Sequence, residues 1–142
     1  MRNRNILFVE DDADDTLLLK HVCGKLGLEH FSFASNGKVA AEVLTSALQD
    51  PAQHSTPPLV FLDLNMPEMN GFEFLRWLRE ENKMHALPVV ILSTSESPRD
   101  ILTAYQLGAN AYLVKSSNLR ELGNMIQSAH DFWTCYNRVP HA

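Results

Sequence analysis

Leu59-Val60-Phe61-Leu62-Asp63-Leu64-Asn65-Met66-Pro67-Glu68-Met69-Asn70-Gly71 decides the fold, because four apolar residues stop at an acid and a turn rich in Asn, Pro and Gly follows. An unbroken apolar run of this length fits a strand buried on both faces, as in a parallel sheet with helices above and below. The pattern recurs three times. Ile6-Leu7-Phe8-Val9 runs into Glu10-Asp11-Asp12, Pro88-Val89-Val90-Ile91-Leu92 into Ser93, and Tyr112-Leu113-Val114 into Lys115. If all four are parallel strands of one sheet, those end groups gather at its carboxyl edge. A carboxylate cluster, a hydroxyl and an ammonium then face one small pocket.

Helical periodicity fills the intervals, so strands and helices alternate as in a parallel sheet with crossover helices. After a first strand over 5–9, Leu19, Val22, Cys23 and Leu26 recur at i, i+3, i+4 and i+7. Asp14 and Asp15 near that helix's start suit its dipole, and Gly27 suits its C-terminal cap. A second strand over 30–34 turns through Ser35-Asn36-Gly37 into a helix with Val39, Ala40, Val43, Leu44 and Ala47 on one face. Residues 50–58, with three prolines, form a surface loop. The strand over 59–62 leads to a helix over 71–82 with Phe72, Leu75 and Leu78 inward. The strand over 89–92 leads through Ser97-Pro98 to a helix with a stripe of Ile101, Leu102 and Tyr105, ended by Gly108. The strand over 111–114 precedes a helix from Asn118, whose Leu119, Leu122, Ile126, Ala129 and Trp133 are spaced 3, 4, 3 and 4.

The chain has 142 residues, the length of one domain, and its 45% hydrophobic and 20% charged content is that of an ordinary globular protein. A net charge of −5 with 12 scattered basic residues argues against a nucleic-acid surface. No apolar run approaches the roughly 20 residues that span a membrane, and none follows the N-terminus as a signal peptide would require. The expectation is a cytoplasmic protein with no nucleic-acid or membrane partner. Cys23 and Cys135 are expected to be free thiols, and the six histidines show no spacing for zinc.

Clustered carboxylates repel one another and are stable together mainly when a cation neutralises them. Hard oxygen ligands at this density favour magnesium, which is held by a few carboxylates plus phosphate oxygens. A carboxylate can itself attack phosphorus and form an acyl phosphate. Lys115 would supply positive charge to the phosphoryl group, and the Ser93 hydroxyl could donate to one of its oxygens.

Ile6–Asp12, Leu62–Gly71, Pro88–Thr94 and Gly108–Lys115, in that order and each closing a strand, resemble the receiver domain of two-component response regulators over essentially the full chain. The resemblance implies a flavodoxin-like α/β fold, a doubly wound five-stranded parallel sheet of order 2-1-3-4-5 with five helices. It implies a single receiver domain over 1–142, with no residues left for an output domain, that works as a switch and not as an enzyme. Asp63 would be the phospho-acceptor, charged by a sensor histidine kinase. Glu10, Asp11, Asp63 and the carbonyl of Asn65 would hold the metal, with Asp11 a direct ligand and Asp12 a solvated neighbour. Ser93 and Lys115 would contact the phosphoryl group, and Tyr112 stands where the family places its aromatic switch.

The chain departs from the family at Lys115-Ser116, where proline usually follows, often through a cis peptide. Thr94 fills a position where a smaller residue is common. Lys-Ser here, the long loop before the third strand and Phe132-Trp133 together resemble the small single-domain regulators paired with bacterial phytochrome kinases. The alternatives are a pseudo-receiver that binds without being phosphorylated, and a phosphatase of the haloacid dehalogenase type. The latter requires a second Asp where Asn65 stands and a Thr where Pro67 stands. The signal is expected to leave through a downstream protein target and a homodimer built on the fourth helix, fifth strand and fifth helix.

Overall fold

Five parallel strands make one sheet in the computed structural model, which describes residues 5–50, 56–67, 69–82 and 84–140. They are β1 (Ile6–Val9), β2 (Phe31–Ala34), β3 (Val60–Leu62), β4 (Val89–Ser93) and β5 (Ala111–Val114), in the order β2-β1-β3-β4-β5. Helices α1 (Ala13–Lys25), α2 (Gly37–Gln49), α3 (Gly71–Arg76), α4 (Pro98–Gln106) and α5 (Leu119–Asp131) follow the strands in turn. The expected doubly wound fold is present. Of the loop read over 50–58, residues 51–55 lie outside the described residues.

The apolar runs bury both faces of the sheet. Leu7, Val9, Val60, Leu62, Val89 and Ile91 pack with α2, α3 and Ala104 of α4, while Ile6, Phe8, Phe61, Val90 and Leu92 pack with α1 and α5. Phe8 stacks on its register partners Phe33 and Phe61 at 5.0 and 4.9 Å between ring centroids. Such pairs add about 0.5–1.5 kcal/mol beyond the area they bury. They tie β2 to β1 and β3, the two strands that carry the acidic site.

Each of α1–α5 starts at a side-chain cap: Asp12, Asn36, Asn70, Ser97 and Asn118 each accept from a backbone N–H of the first turn. Asn70 and Glu73 form a reciprocal capping box. At the end of α1, Gly27 takes φ +75°, its N–H reaches the Gly24 carbonyl, and the Leu28 N–H reaches the Cys23 carbonyl. This Schellman arrangement is the stop that Gly27 signals in sequence.

The helix faces differ from expectation in particulars. In α2 the inward residue is Ala41, and Val43 is 44% exposed, because the buried set runs Gly37, Ala40, Ala41, Leu44 and Ala47. In α3 Phe74 joins Leu75 inside while Phe72 is only half-buried. In α4 small Ala104 makes the core contact, while Leu102 is 58% exposed and Tyr105 also faces out. The α5 stripe is mainly core: Leu122, Ile126 and Ala129 are buried, Trp133 is half-buried and Leu119 is exposed.

Past Arg76, residues Trp77–Glu81 widen to i→i+5 bonding, with the Asn82 N–H on the Trp77 carbonyl at 3.1 Å. That turn buries Arg79. Its guanidinium donates to the carbonyls of Met84 and Gly108 and to Asn110 Oδ1. Asn110 Oδ1 also accepts from the Val89 N–H at 2.8 Å, so the cluster ties α3 to the start of β4 and β5. The peptide bond joining Lys115 to Ser116 is trans.

Candidate functional site

The sheet's hydrogen bonding reaches the residues that end its strands. The Glu10 N–H donates to the Ala34 carbonyl (3.0 Å), the Asp63 N–H to the Val9 carbonyl (3.0 Å) and the Lys115 N–H to the Ser93 carbonyl (2.8 Å). Backbone pairing thus fixes three functional residues at one edge. Gly71 closes the turn after Asp63: its N–H donates to the Leu64 carbonyl at 3.1 Å. A Cβ at Gly71 would stand 2.5 Å from the Asp63 carbonyl and 2.8 Å from Leu64 Cα, so any side chain there would push the β3 loop out of place.

Carboxylate oxygens of Glu10, Asp11 and Asp63 lie within 4.8 Å of one another. Glu10 is 3% and Asp63 8% exposed, whereas Asp11 faces solvent. Lys115 Nζ donates to Glu10 Oε2 at 2.6 Å and to Asp15 Oδ2 at 3.3 Å. Burial pushes Glu10 up to about 7, with Lys115 pulling against it and the Asp63 charge adding to it. Asp63 is also raised, first by burial and then by Asp11, while Lys115 and the backbone N–H groups of Asn65 and Leu64 oppose the rise. Burial alone would lower the Lys115 ammonium. Glu10, Asp63 and Asp15 outweigh it and hold the group above its ordinary value.

Around this centre, Ser93 is fully buried and its Oγ accepts from the Ser95 N–H at 3.2 Å. The Tyr112 hydroxyl donates to the Ser95 carbonyl at 2.9 Å, and Ser95 Oγ donates to Asp100 Oδ2 at 2.6 Å. Tyr112 and Ser93 are therefore joined through Ser95 of the β4–α4 loop. Asn65 sits on the exposed side of the turn after Asp63. Asp12 caps α1, accepting from the Asp14 and Asp15 N–H groups at 2.8 and 3.1 Å. Its own N–H donates to Glu10 Oε1 at 3.1 Å.

Sequence reasoning brought Glu10, Asp11, Asp63, Ser93 and Lys115 to one edge, and the structure gathers them there. It did not foresee the capping by Asp12, the contact of Asp15 with Lys115, or the Ser95–Asp100 bond. The first could have been found from an Asp standing just before a helical pattern. The other two depend on the relative placement of separate elements.

Two buried carboxylates and a third beside them, with one ammonium among them, leave net negative charge in a poorly solvated place. The three groups that converge there offer carboxylate oxygens, the donors preferred by hard divalent cations. The residues fit such a cation.

A doubly wound sheet with this carboxyl edge defines a class of α/β proteins equipped to hold a metal ion and a phosphoryl group. The chain belongs to the response regulator receiver domains, whose family pattern matches residues 6–127. Response regulator Rcp1 of Synechocystis is 33% identical over 128 residues, 90% of this chain and 87% of that one. The Mn(2+)-bound crystal structure of Rcp1 superposes with a TM-score of 0.80 at 32% identity, covering 97% of this chain and 99% of that one. Response regulator RPA3017, of red-light signalling in R. palustris, superposes at 0.86 with 33% identity over 98% and 99% of the two chains. Phosphorylated RcpA, a cyanobacterial phytochrome response regulator, superposes at 0.80 with 30% identity over 99% and 100%. Like its relatives, the chain is a two-component receiver, a family that interacts with sensor histidine kinases, and its acidic cluster fits the divalent metal typical of such domains. No helix among the described residues is long and apolar enough to cross a membrane.

Proposed function

We propose that Asp63 accepts a phosphoryl group from the phosphohistidine of a sensor kinase, and that the chain is a cytoplasmic switch and not an enzyme. The observation that carries this reading is Asp63 held by backbone pairing in a buried acidic cluster that contains one lysine. An Asp63 carboxylate oxygen forms a bond to phosphorus as the phosphorus–nitrogen bond breaks, and the electron pair returns to the imidazole. Lys115 and the Ser93 hydroxyl meet the phosphoryl oxygens. Magnesium, held by Glu10, Asp11, Asp63 and the Asn65 carbonyl, would neutralise charge as the phosphoryl group transfers. Transfer of Ser93 toward the phosphoryl group would strain the Ser95 loop, and with it the Tyr112 bond. The relatives in red-light and phytochrome signalling favour a bacteriophytochrome as the kinase.

The output face is α4–β5–α5. Leu102 and Tyr105 of α4 and Leu119 of α5 stand exposed beside the free edge of β5. Apolar side chains next to an open edge call for cover, and a symmetric partner supplies it in a homodimer. Phosphorylation would shift the monomer–dimer balance and engage a downstream protein target by differential affinity of the two states.

Acetyl phosphate with magnesium tests both statements in one sample. Mass spectrometry should find one added phosphoryl group on the wild type and none on Asp63→Asn or with EDTA. Sedimentation of the same samples should show the phosphorylated protein with the larger dimer fraction. Equal labelling of the mutant rejects the acceptor, and a monomer at high micromolar concentration in both states rejects the dimer.

A further inference from the structure

Asp15 stands in the first turn of α1, and its carboxylate reaches across to Lys115 at 3.3 Å. The ion pairs of Lys115 within 4.0 Å, among the described residues, are with Glu10 and Asp15. Yet Lys115 is the group that must meet the phosphoryl oxygens on Asp63. The geometry points to Asp15 as a positioning residue that holds Lys115 back from the phosphoryl site and thereby limits how fast Asp63 is loaded.

The two partners of Lys115 are not equivalent. The Glu10 side chain is 2% exposed and bonded to Lys115 at 2.6 Å, so that contact is locked. The Asp15 side chain is 41% exposed at the looser distance, so water can replace the lysine on it. Asp15 is the partner that can let go. Its carboxylate acts twice in one direction: it draws the ammonium toward α1, and it adds negative charge beside an incoming anion. Neutralising it should therefore speed loading. A merely structural role predicts the opposite sign, because an acid in the first turn of a helix stabilises it and its loss weakens the site.

The inference rests on Asp63 being the acceptor, and the test separates the two. Wild type, Asp15→Asn and Asp14→Asn are mixed with acetyl phosphate and magnesium, and the rate of labelling at Asp63 is followed. Asp14 is an exposed neighbour in the same turn whose backbone N–H, like that of Asp15, donates to Asp12, so it controls for net charge and capping. Asp15→Asn should load about two- to fivefold faster than wild type, the scale of a partly exposed ion pair. Asp14→Asn should stay close to wild type, and Asp15→Glu should restore the slow rate. The Asp15→Asn gain should shrink at high salt, since solvent-facing charges are screened. Without metal or phosphate, the Lys115 ammonium resonance should move in Asp15→Asn and not in Asp14→Asn. Loading by Asp15→Asn at or below the wild-type rate overturns the inference, and so does an equal gain in Asp14→Asn. A wild type that takes no phosphoryl group on Asp63 overturns the acceptor assignment and this inference together.

Discussion

Near the amino ends of β4 and β5, Arg79 is a buried cation whose donor contacts among the described residues end on neutral oxygens: the carbonyls of Met84 and Gly108 and the amide of Asn110. At the carboxyl edge, Glu10 and Asp63 are buried carboxylates that crowd one another, and Glu10 shares one lysine with Asp15. Both places desolvate charge, at similar depth in the same sheet. Burial lowers the Arg79 guanidinium from its ordinary value. Burial raises both Glu10 and Asp63, and neighbouring acids add to each rise. The difference teaches how to tell a structural charge from a functional one. A charge kept for stability has its hydrogen bonds completed by the chain, whereas a charge kept for chemistry is left needing something the chain does not supply.

The largest effect expected from this contrast is at Arg79. Arg79→Ala would orphan the Gly108 and Met84 carbonyls and part of Asn110, and at about 1–3 kcal/mol for each buried group left unsatisfied the loss should reach about 3–5 kcal/mol. Arg79→Lys should recover only part, because one ammonium cannot span the fork of acceptors. Glu10→Gln at the opposite edge should change stability by less than about 1 kcal/mol in EDTA, because relief of a desolvated carboxylate charge offsets the lost lysine contact and Lys115 keeps Asp15. Urea midpoints at pH 8 measure all three. If Arg79→Ala costs no more than Glu10→Gln, the two edges do not differ as argued.

A smaller effect is the pH dependence, and its sign follows from the raised carboxylates. Glu10 ionises near 4.5 in the unfolded chain and at about 7 in the folded one. Between those values the folded state binds more protons than the unfolded state, so stability falls as pH rises and levels off above about 7. Asp63 is raised and adds in the same direction. Lys115, also raised, contributes stability that is complete below 10.5 and lost only in more alkaline solution, outside this window. At 1.36 kcal/mol per pKa unit the decline from pH 5 to 8 should be roughly 1–3 kcal/mol in EDTA. Saturating magnesium should reduce or reverse it, because a cation binds the ionised carboxylates. Stability that rises across this range without metal would mean the acidic edge is not strained. Arg79 keeps its charge throughout and contributes no slope.

The same contrast explains what the sequence could carry. Strands ending in Glu10-Asp11, Asp63, Ser93 and Lys115 are legible because apolar runs and their terminal residues are local, and parallel pairing brings like ends together. Faces of helices were less legible where small residues do the packing: Ala41 and Ala104 are the core contacts that Val43 and Leu102 appeared to claim. Alanine buries little area, so it hardly registers in an apolar pattern, yet it lets a helix approach the sheet closely. Arg79 was silent, since a charged residue late in a helix ordinarily faces water. Its acceptors at Gly108 and Asn110 lie 29 and 31 residues away, and no local pattern connects them. Asp15 was seen only as a helix-terminal acid, because its partner Lys115 lies 100 residues away and no local pattern connects them.

The smallest expected effect separates two adjacent acids that sequence alone scarcely distinguishes. Asp11 contributes an oxygen to the carboxylate cluster, while the Asp12 side chain turns away to cap α1 through two backbone N–H groups. Asp12→Ala should therefore cost about 1 kcal/mol of stability, the usual value of a lost N-cap, and leave magnesium affinity nearly unchanged. Asp11→Ala should do the reverse. Its magnesium affinity should fall by roughly tenfold or more, the scale on which metal sites respond even to loss of an outer partner. Its stability in EDTA should hold or rise, because one carboxylate has left a crowded anionic edge. Fluorescence titration using Trp77 and Trp133, paired with urea melts, reads both quantities on both variants. If Asp12→Ala weakens magnesium more than Asp11→Ala does, the register at the end of β1 is off by one and Asp12 belongs to the metal site.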